Sequence, residues 1–393
     1  MKTRRITVFL GLTATLWIPS AGQVQKYFGT WGILIYGALV FSILVTGSRF
    51  ILNPVLRNLT EKKAFWLAVL TFLALLVIFY IVFPIANSGI VGGGSDNDED
   101  FTVAIKALWH GRYPYYAKTY LGNSLSTLPG GLLLALPFVL LGNSAYQNLF
   151  WLGVFFLAAR SFLKDGRQAL FLFWSILLLS PVVLQQLVTG YSGVANAVCV
   201  LFFMGWLVGS ILEKQSAFKK FIAAIFFGIA LAWRSNYLLL LPLVFSILVQ
   251  NVGWKTASQY TVLSFLAFCA LTIPFYLYDP AGFSPLAVHL NRLVRFQSIL
   301  PYSWVLISLL TAAIALLLSF QRMEPDCRVL FKNCAIVQAI PVLCVLVLSS
   351  IQSGRPNFFW SGYGVHFLFF GVLASWNELT RFWDKRREKQ LLQ

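Results

Sequence analysis

An all-α, polytopic membrane bundle is the fold class this sequence predicts, and three observations predict it. Of its 393 residues, 59% are hydrophobic and only 11% are charged, whereas soluble domains carry roughly 25% charged residues. Apolar runs approaching the ~20 residues of a membrane-crossing helix recur along the whole chain. The net charge of +17 is gathered into short segments between alternate runs, as cytoplasmic loops gather Lys and Arg. Basicity here therefore speaks for topology, and no nucleic-acid partner is expected. The five cysteines (Cys199, Cys269, Cys327, Cys334 and Cys344) lack metal-ligand spacing and read as small core residues, not as a disulfide framework.

Taken in order, Met1–Arg5 is basic and precedes an apolar run, in the manner of a signal peptide, and Ser20-Ala21-Gly22 resembles a cleavage site. Further spans follow closely, which favours an anchor that stays in place. Spans are expected near 6–20, 29–47, 64–84, 146–162, 168–187, 195–212, 221–233, 237–250, 259–278, 301–319, 333–351 and 359–376. The count is about 11–13 in a single integral membrane domain covering 1–393. Within it, 1–63 supplies extra N-terminal spans, 64–212 a core module with a large outer loop over 85–145, and 213–393 a variable helical module. The run Leu128–Leu141 is short and rich in Gly and Pro, and reads as a juxtamembrane or re-entrant helix.

Charge sets the parity. With the N-terminus inside, the inner segments hold 22 of the 30 Lys and Arg residues, and both termini are cytoplasmic. The same test bears on 221–250. A single long helix would put the basic tail Arg381–Lys389 outside. Two half-helices meeting at Trp233-Arg234-Ser235-Asn236 keep it inside, and broken helices are tolerated where they line a cavity. Asn58-Leu59-Thr60 matches a glycosylation sequon but falls on the inner side, so it is discounted.

Asp96-Asn97-Asp98-Glu99-Asp100 places four of the chain's 13 acidic residues within five positions, directly after an apolar span. Parity puts this acidic knot outside, together with the loops around 188–194, 279–300 and 352–358. Phe101, Ala104, Ile105 and Leu108 recur at i, i+3, i+4 and i+7, so a short amphipathic helix starting near Asp100 is expected on the membrane surface. Asp98 or Asp100 could cap it, with the other acids favouring its positive end. One acid is enough for a cap, which leaves others for chemistry. The helix runs out at Trp109-His110-Gly111-Arg112-Tyr113-Pro114-Tyr115, where Gly111 suits a C-terminal cap and Pro114 prevents continuation.

These parts resemble the C-type (GT-C) glycosyltransferase superfamily, and within it the polyprenol-phosphate-mannose-dependent mannosyltransferase-like group. The resemblance rests on Asp98-Glu99 after a core span, the helix through Ala104–Leu108, Gly111-Arg112-Tyr113-Pro114-Tyr115, and the Pro-led apolar helix from Pro129 to Gly142. It covers about fifty residues. The chain departs from the pattern in carrying three Asp at alternate positions and Pro129-Gly130 where Pro-Pro is common. The resemblance implies an inner-membrane enzyme that takes a sugar from a polyprenyl-phosphate donor. It passes the sugar to a glycan or lipid acceptor on the outer face, with inversion at the anomeric carbon.

A carboxylate can remove the acceptor's proton, and Asp98 is the expected base, with Asp96 as the second choice. Asp100 is expected to cap. The lipid-phosphate leaving group needs fixed cations. Arg234 lies between strongly apolar runs, where an arginine is costly and its planar fork suits phosphate; the alternative is an arginine snorkelling to the interface. Arg292 and Arg295 share a helix face at i, i+3 near His289, and could grip phosphate or simply mark an interfacial helix. Glu99, Tyr115 and His110 complete the expected substrate-binding set. The second outer loop, Thr189-Gly190-Tyr191-Ser192-Gly193, has no acid, so neither a second carboxylate nor a metal cofactor is expected. The competing reading is a multi-pass transporter or a flippase of lipid-linked saccharide, to which broken helices and intramembrane charge also belong.

Overall fold

The computed structural model describes residues 2–47, 58–88, 90, 94–376 and 379. The basic segment 48–57, Gly92, Gly93 and the tail Arg381–Lys389 lie outside these residues, as do the side chains of Lys2–Arg5 and His289. The described residues are mostly helical and contain no strand, only one isolated bridge between Lys118 and Ser124. In chain order the helices are α1 (Lys2–Trp17), α2 (Ala21–Thr46), α3 (Glu61–Ala86), α4 (Asn97–Trp109) and α5 (Pro129–Leu140). Then come α6 (Tyr146–Leu163), α7 (Gly166–Leu179), α8 (Pro181–Thr189), α9 (Gly193–Leu212) and α10 (Ala217–Leu231). The last are α11 (Leu241–Val252), α12 (Trp254–Tyr278), α13 (Ser284–Val294), α14 (Ser303–Ser319), α15 (Arg328–Ser353) and α16 (365–376).

Six helical stretches among the described residues are long and apolar enough to cross a membrane: Ile6–Thr46, α3, α9, Ser235–Val252, α12 and α15. The pair α7 and α8 makes a seventh if counted as one span, although it is bent by 78°. Such a fold suits a multi-pass membrane protein. The expected 11–13 spans are thus not all full-length helices. With 15 and 17 residues, α10 and α14 reach only about 22–26 Å at 1.5 Å per residue, against a hydrocarbon core of ~30 Å. The span expected over 168–187 breaks at Ser180-Pro181. Proline has no N–H to give and drives the preceding residue out of the helical region; Ser180 accordingly sits at φ −140°, ψ 76°. The span expected over 359–376 opens with a 3₁₀ turn, Phe359–Gly364, before α16.

The chain divides into two compact units. One comprises Met1–Ala74, Gly153–Leu184 and Phe331–Gln393. In it the Trp17 indole N–H donates to the Ile33 carbonyl at 3.0 Å, and Tyr36 donates to the Leu179 carbonyl at 2.6 Å. The break before Pro181 is satisfied locally: Val182 N–H donates to the Ser20 hydroxyl at 3.2 Å.

The other unit comprises Leu75–Leu152 and Gln185–Leu330. Its centre is α9, buried on nearly every side, which is why that helix is apolar all round. Both α10 and α11 pack along α12. Gly228 of α10 meets Ser264 and Ala267 of α12, while α11 leads into α12 through the single residue Gly253. The chain must therefore turn back between α10 and α11, since one continuous helix would carry Gly228 to the far end of α12, well past Ser264 and Ala267. The reversal runs through Ala232-Trp233-Arg234 and a 3₁₀ turn, Ser235–Leu240, where the charge distribution places two half-helices.

Candidate functional site

The acidic knot is where local structure and chemistry meet. The helix starts at Asn97, three residues earlier than expected, with Asp96 at the N-cap and Asp98, Glu99 and Asp100 in the first turn. At 100° per residue, Asp96 and Asp100 project from the same side, and Asp98 projects from nearly the opposite side. The inward stripe is Phe101, Ala104 and Ile105, all buried, whereas Leu108 is exposed.

Each acid has a separate anchor. Asp96 Oδ2 accepts from Thr119 Oγ1 at 2.5 Å and Asn123 Nδ2 at 2.8 Å. Glu99 Oε2 accepts the Tyr120 N–H at 2.6 Å. Asp100 Oδ2 accepts from Thr127 Oγ1 at 2.8 Å and Ser126 N–H at 3.3 Å. Asn97 Oδ1 accepts both the N–H and the hydroxyl of Ser192, at 2.8 and 2.6 Å. The knot thus clamps the loop 119–127 onto α4 and fixes the 190–193 turn beside it.

Asp100 does not cap the helix. It is buried, its Oδ1 has no hydrogen-bond partner, and burial raises its pKa to about 6 against the lowering pull of Thr127, Ser126 and Arg234. Asp98 also rises to about 6, through burial first and then the Glu99 and Asp96 carboxylates, with the amides of Asp98 and Glu99 pulling the other way. Its Cβ and Cγ lie against Gly190.

Arg234 is placed by a pairing of two incomplete helix ends. Breaking α10 frees carbonyls, and starting α5 frees amides. Leu128 N–H donates to the Trp233 carbonyl at 3.1 Å, and Gly131 N–H to the Ala232 carbonyl at 3.2 Å. A side chain at Gly131 would stand 2.7 Å from the Trp233 ring, so the close approach requires glycine. Trp233 also meets Phe101 edge-on at 6.1 Å. Arg234 follows in extended conformation (φ −147°, ψ 137°) and is itself buried.

The result is a cavity of about 450 Å³ whose lining includes Asp96, Asp100, Arg234, Arg292 and Arg295. That volume lies within the roughly 300–1,000 Å³ of small-molecule sites. Val288, Asn291, Arg292 and Arg295 present one face of α13 and its C-terminal end to it, at the i, i+3, i+4, i+7 spacing of a single helix side. Hydroxyl and amide groups of Thr119, Asn123, Ser124, Ser126 and Tyr191 complete the polar wall.

Several expected residues stand elsewhere. Asp98 does not line the cavity, because its register turns it toward Gly190. Glu99 is spent on the Tyr120 amide. Tyr115 is buried, donating to the Thr127 carbonyl at 3.1 Å and packing on Phe275 and Phe283. His110 is exposed at the end of α4, with Nδ1 2.7 Å from the Lys106 carbonyl. Sequence reasoning missed Asp100 as a cavity residue, and also Tyr191 and the 119–126 loop. An i, i+4 relation to Asp96 is the signal that could have found Asp100. Among the described residues no cluster of three or more His, Cys, Asp or Glu is arranged to hold a metal ion.

Comparison of the chain with protein-family models, with curated proteins and with solved structures finds no match. The functional reading therefore stands on the site itself.

Proposed function

We propose that this protein is a membrane glycosyltransferase of the C-type kind, transferring a sugar from a polyprenyl-phosphate donor to a glycan or lipid acceptor at the outer face of the membrane. The supporting observation is the cavity in which an anchored carboxylate, Asp96, shares one space with Arg234, Arg292 and Arg295. Asp96 replaces Asp98 as the proposed base. Thr119 and Asn123 hold Oδ2, leaving Oδ1 to take the acceptor's proton as its oxygen attacks the anomeric carbon. The bond from that carbon to the phosphate oxygen breaks, and the phosphate departs with the electron pair. The three guanidinium groups meet the charge that develops there. Attack opposite the leaving group inverts the anomeric centre. Asp100 acts through Arg234 as a positioning residue.

The test is turnover of synthetic short-chain polyprenyl-phosphate sugars by the purified chain, comparing wild type with Asp96→Asn, Asp98→Asn and Arg234→Gln. Removing a base that contributes a typical 10²–10⁴-fold should lower turnover by about that factor in Asp96→Asn, and Asp98→Asn should retain most activity. Full activity in Asp96→Asn refutes the assignment of the base. Solute counterflow in proteoliposomes, without turnover of any lipid-linked sugar, would establish the transport reading instead.

A further inference from the structure

A second charged pocket lies in the unit containing the chain termini, and the reaction proposed above does not use it. Its volume is about 550 Å³, and its lining includes Glu61, Leu157, Arg160, Lys164, Asp165 and Gly166. The two acids are already engaged. Asp165 accepts the Arg167 and Gln168 amides at 2.9 and 3.2 Å, capping α7, and pairs with the Arg167 guanidinium at 2.9 Å. Glu61 accepts the Gly166 N–H through both oxygens, at 3.1 and 3.2 Å. A Cβ at Gly166 would lie 2.6 Å from Glu61 Oε2, so only glycine admits the carboxylate this closely.

The cations are less committed. Arg160 reaches Glu61 only at 3.8 Å, with its side chain 45% exposed. Lys164 has no ion-pair partner among the described residues. It sits in left-handed conformation at φ 54°, which is costly for a residue other than glycine. Leu157 and Arg160 follow at i, i+3 along the end of α6, so they share one side of it, and Lys164 lines the pocket from just beyond the helix end. Lys62 and Lys63 stand exposed beside Glu61.

Depth identifies the ligand class. Glu61 is the first residue of α3, a 26-residue apolar helix able to cross a membrane, so the pocket opens where lipid headgroups lie. Over the next two to three turns, Phe65, Trp66 and Leu70 of α3 are exposed, and so is Leu157 of α6. A ligand gripped here would have a charged end at the cations and an apolar body along these side chains.

We propose that this pocket binds the phosphodiester of a membrane phospholipid, with Arg160 and Lys164 on the phosphate oxygens and an acyl chain along Leu157. Basic pockets between membrane helices hold anionic headgroups in this way. The experiment is native mass spectrometry of the full chain in detergent, titrated with short-chain phosphatidylglycerol and, separately, with inorganic phosphate. Arg160→Gln with Lys164→Gln should weaken lipid binding roughly 30-fold, the worth of two cations at an anionic lipid surface. The charge-conserving pair Arg160→Lys with Lys164→Arg should retain it, which separates lost contacts from lost fold. Lys219→Gln with Lys220→Gln, which removes the same charge elsewhere, should leave it unchanged. Equal weakening in that control, or undiminished binding in the Gln pair, overturns the proposal. Inorganic phosphate binding as tightly as the lipid would also overturn it, and would assign the pocket to a soluble anion.

Discussion

Asp100 carries a carboxyl into a buried position where one oxygen is hydrogen-bonded and the other is not. Its raised pKa makes the protein's stability depend on pH with a definite sign. Between about 4, where an unfolded aspartate ionises, and about 6, where the folded one does, the folded state holds the proton more tightly. Stability therefore falls as pH rises through that window, and the cost is complete above it. Asp100→Asn removes the titration. Its melting temperature relative to wild type should rise between pH 4 and pH 7 in detergent, by the equivalent of at most about 3 kcal/mol. A constant difference across that range would show that Asp100 is not the group titrating. At this scale the sequence singled out the five residues that gather at the start of α4, but not which partner each of them takes. That division of partners depends on where α4 begins, because a start three residues earlier brings Asp98 and Glu99 into the helix and sets their directions by its register. The anchors at Thr119, Asn123, Thr127 and Ser192 lie far along the chain and leave no local trace.

The seam between α5 and the end of α10 is the element on which the arginine depends. Two short helices complete one another's hydrogen bonding there, and Gly130 and Gly131 allow the backbones to meet. Gly131→Ala puts a methyl against Thr127 and Trp233 and should destabilise the protein by about 1–3 kcal/mol, as overpacked cores do, read as a lower melting temperature. Activity should fall further than stability alone accounts for, because Arg234 is the next residue after Trp233. An unchanged melting temperature would mean that the seam adjusts at no cost. The break at Arg234 was legible from charge, since only a reversal keeps the basic tail with the other basic segments. The purpose of Pro129-Gly130-Gly131 was not, because its partners Ala232 and Trp233 are remote in sequence.

For the molecule as a whole, hydropathy finds the helices but does not say what surrounds them. Most of α9 is buried in protein, whereas α3 and α12 leave most of their apolar surface exposed, yet all three read alike as sequence. For this reason the all-helical class was legible in the sequence, whereas the surroundings of each helix were not. The Lys and Arg distribution leads to a further expectation, about sidedness. In a cysteine-free background, Asn123→Cys should react with a membrane-impermeant maleimide on intact cells. Lys164→Cys should react only after the cells are opened. The reverse pattern would invert the topology and place the cavity in the cytoplasm.

The seam at Gly131 also has a consequence for how the protein is made. The amides of α5 leave the ribosome long before the carbonyls of Ala232 and Trp233 that will accept from them. Until α10 has been synthesised and turned back, the start of α5 lacks its final partners, and its backbone polarity keeps it near interfacial water. Assembly of the cavity is thus a late event in biogenesis, and a nascent chain halted before Arg234 would carry the acidic knot without its counter-charge.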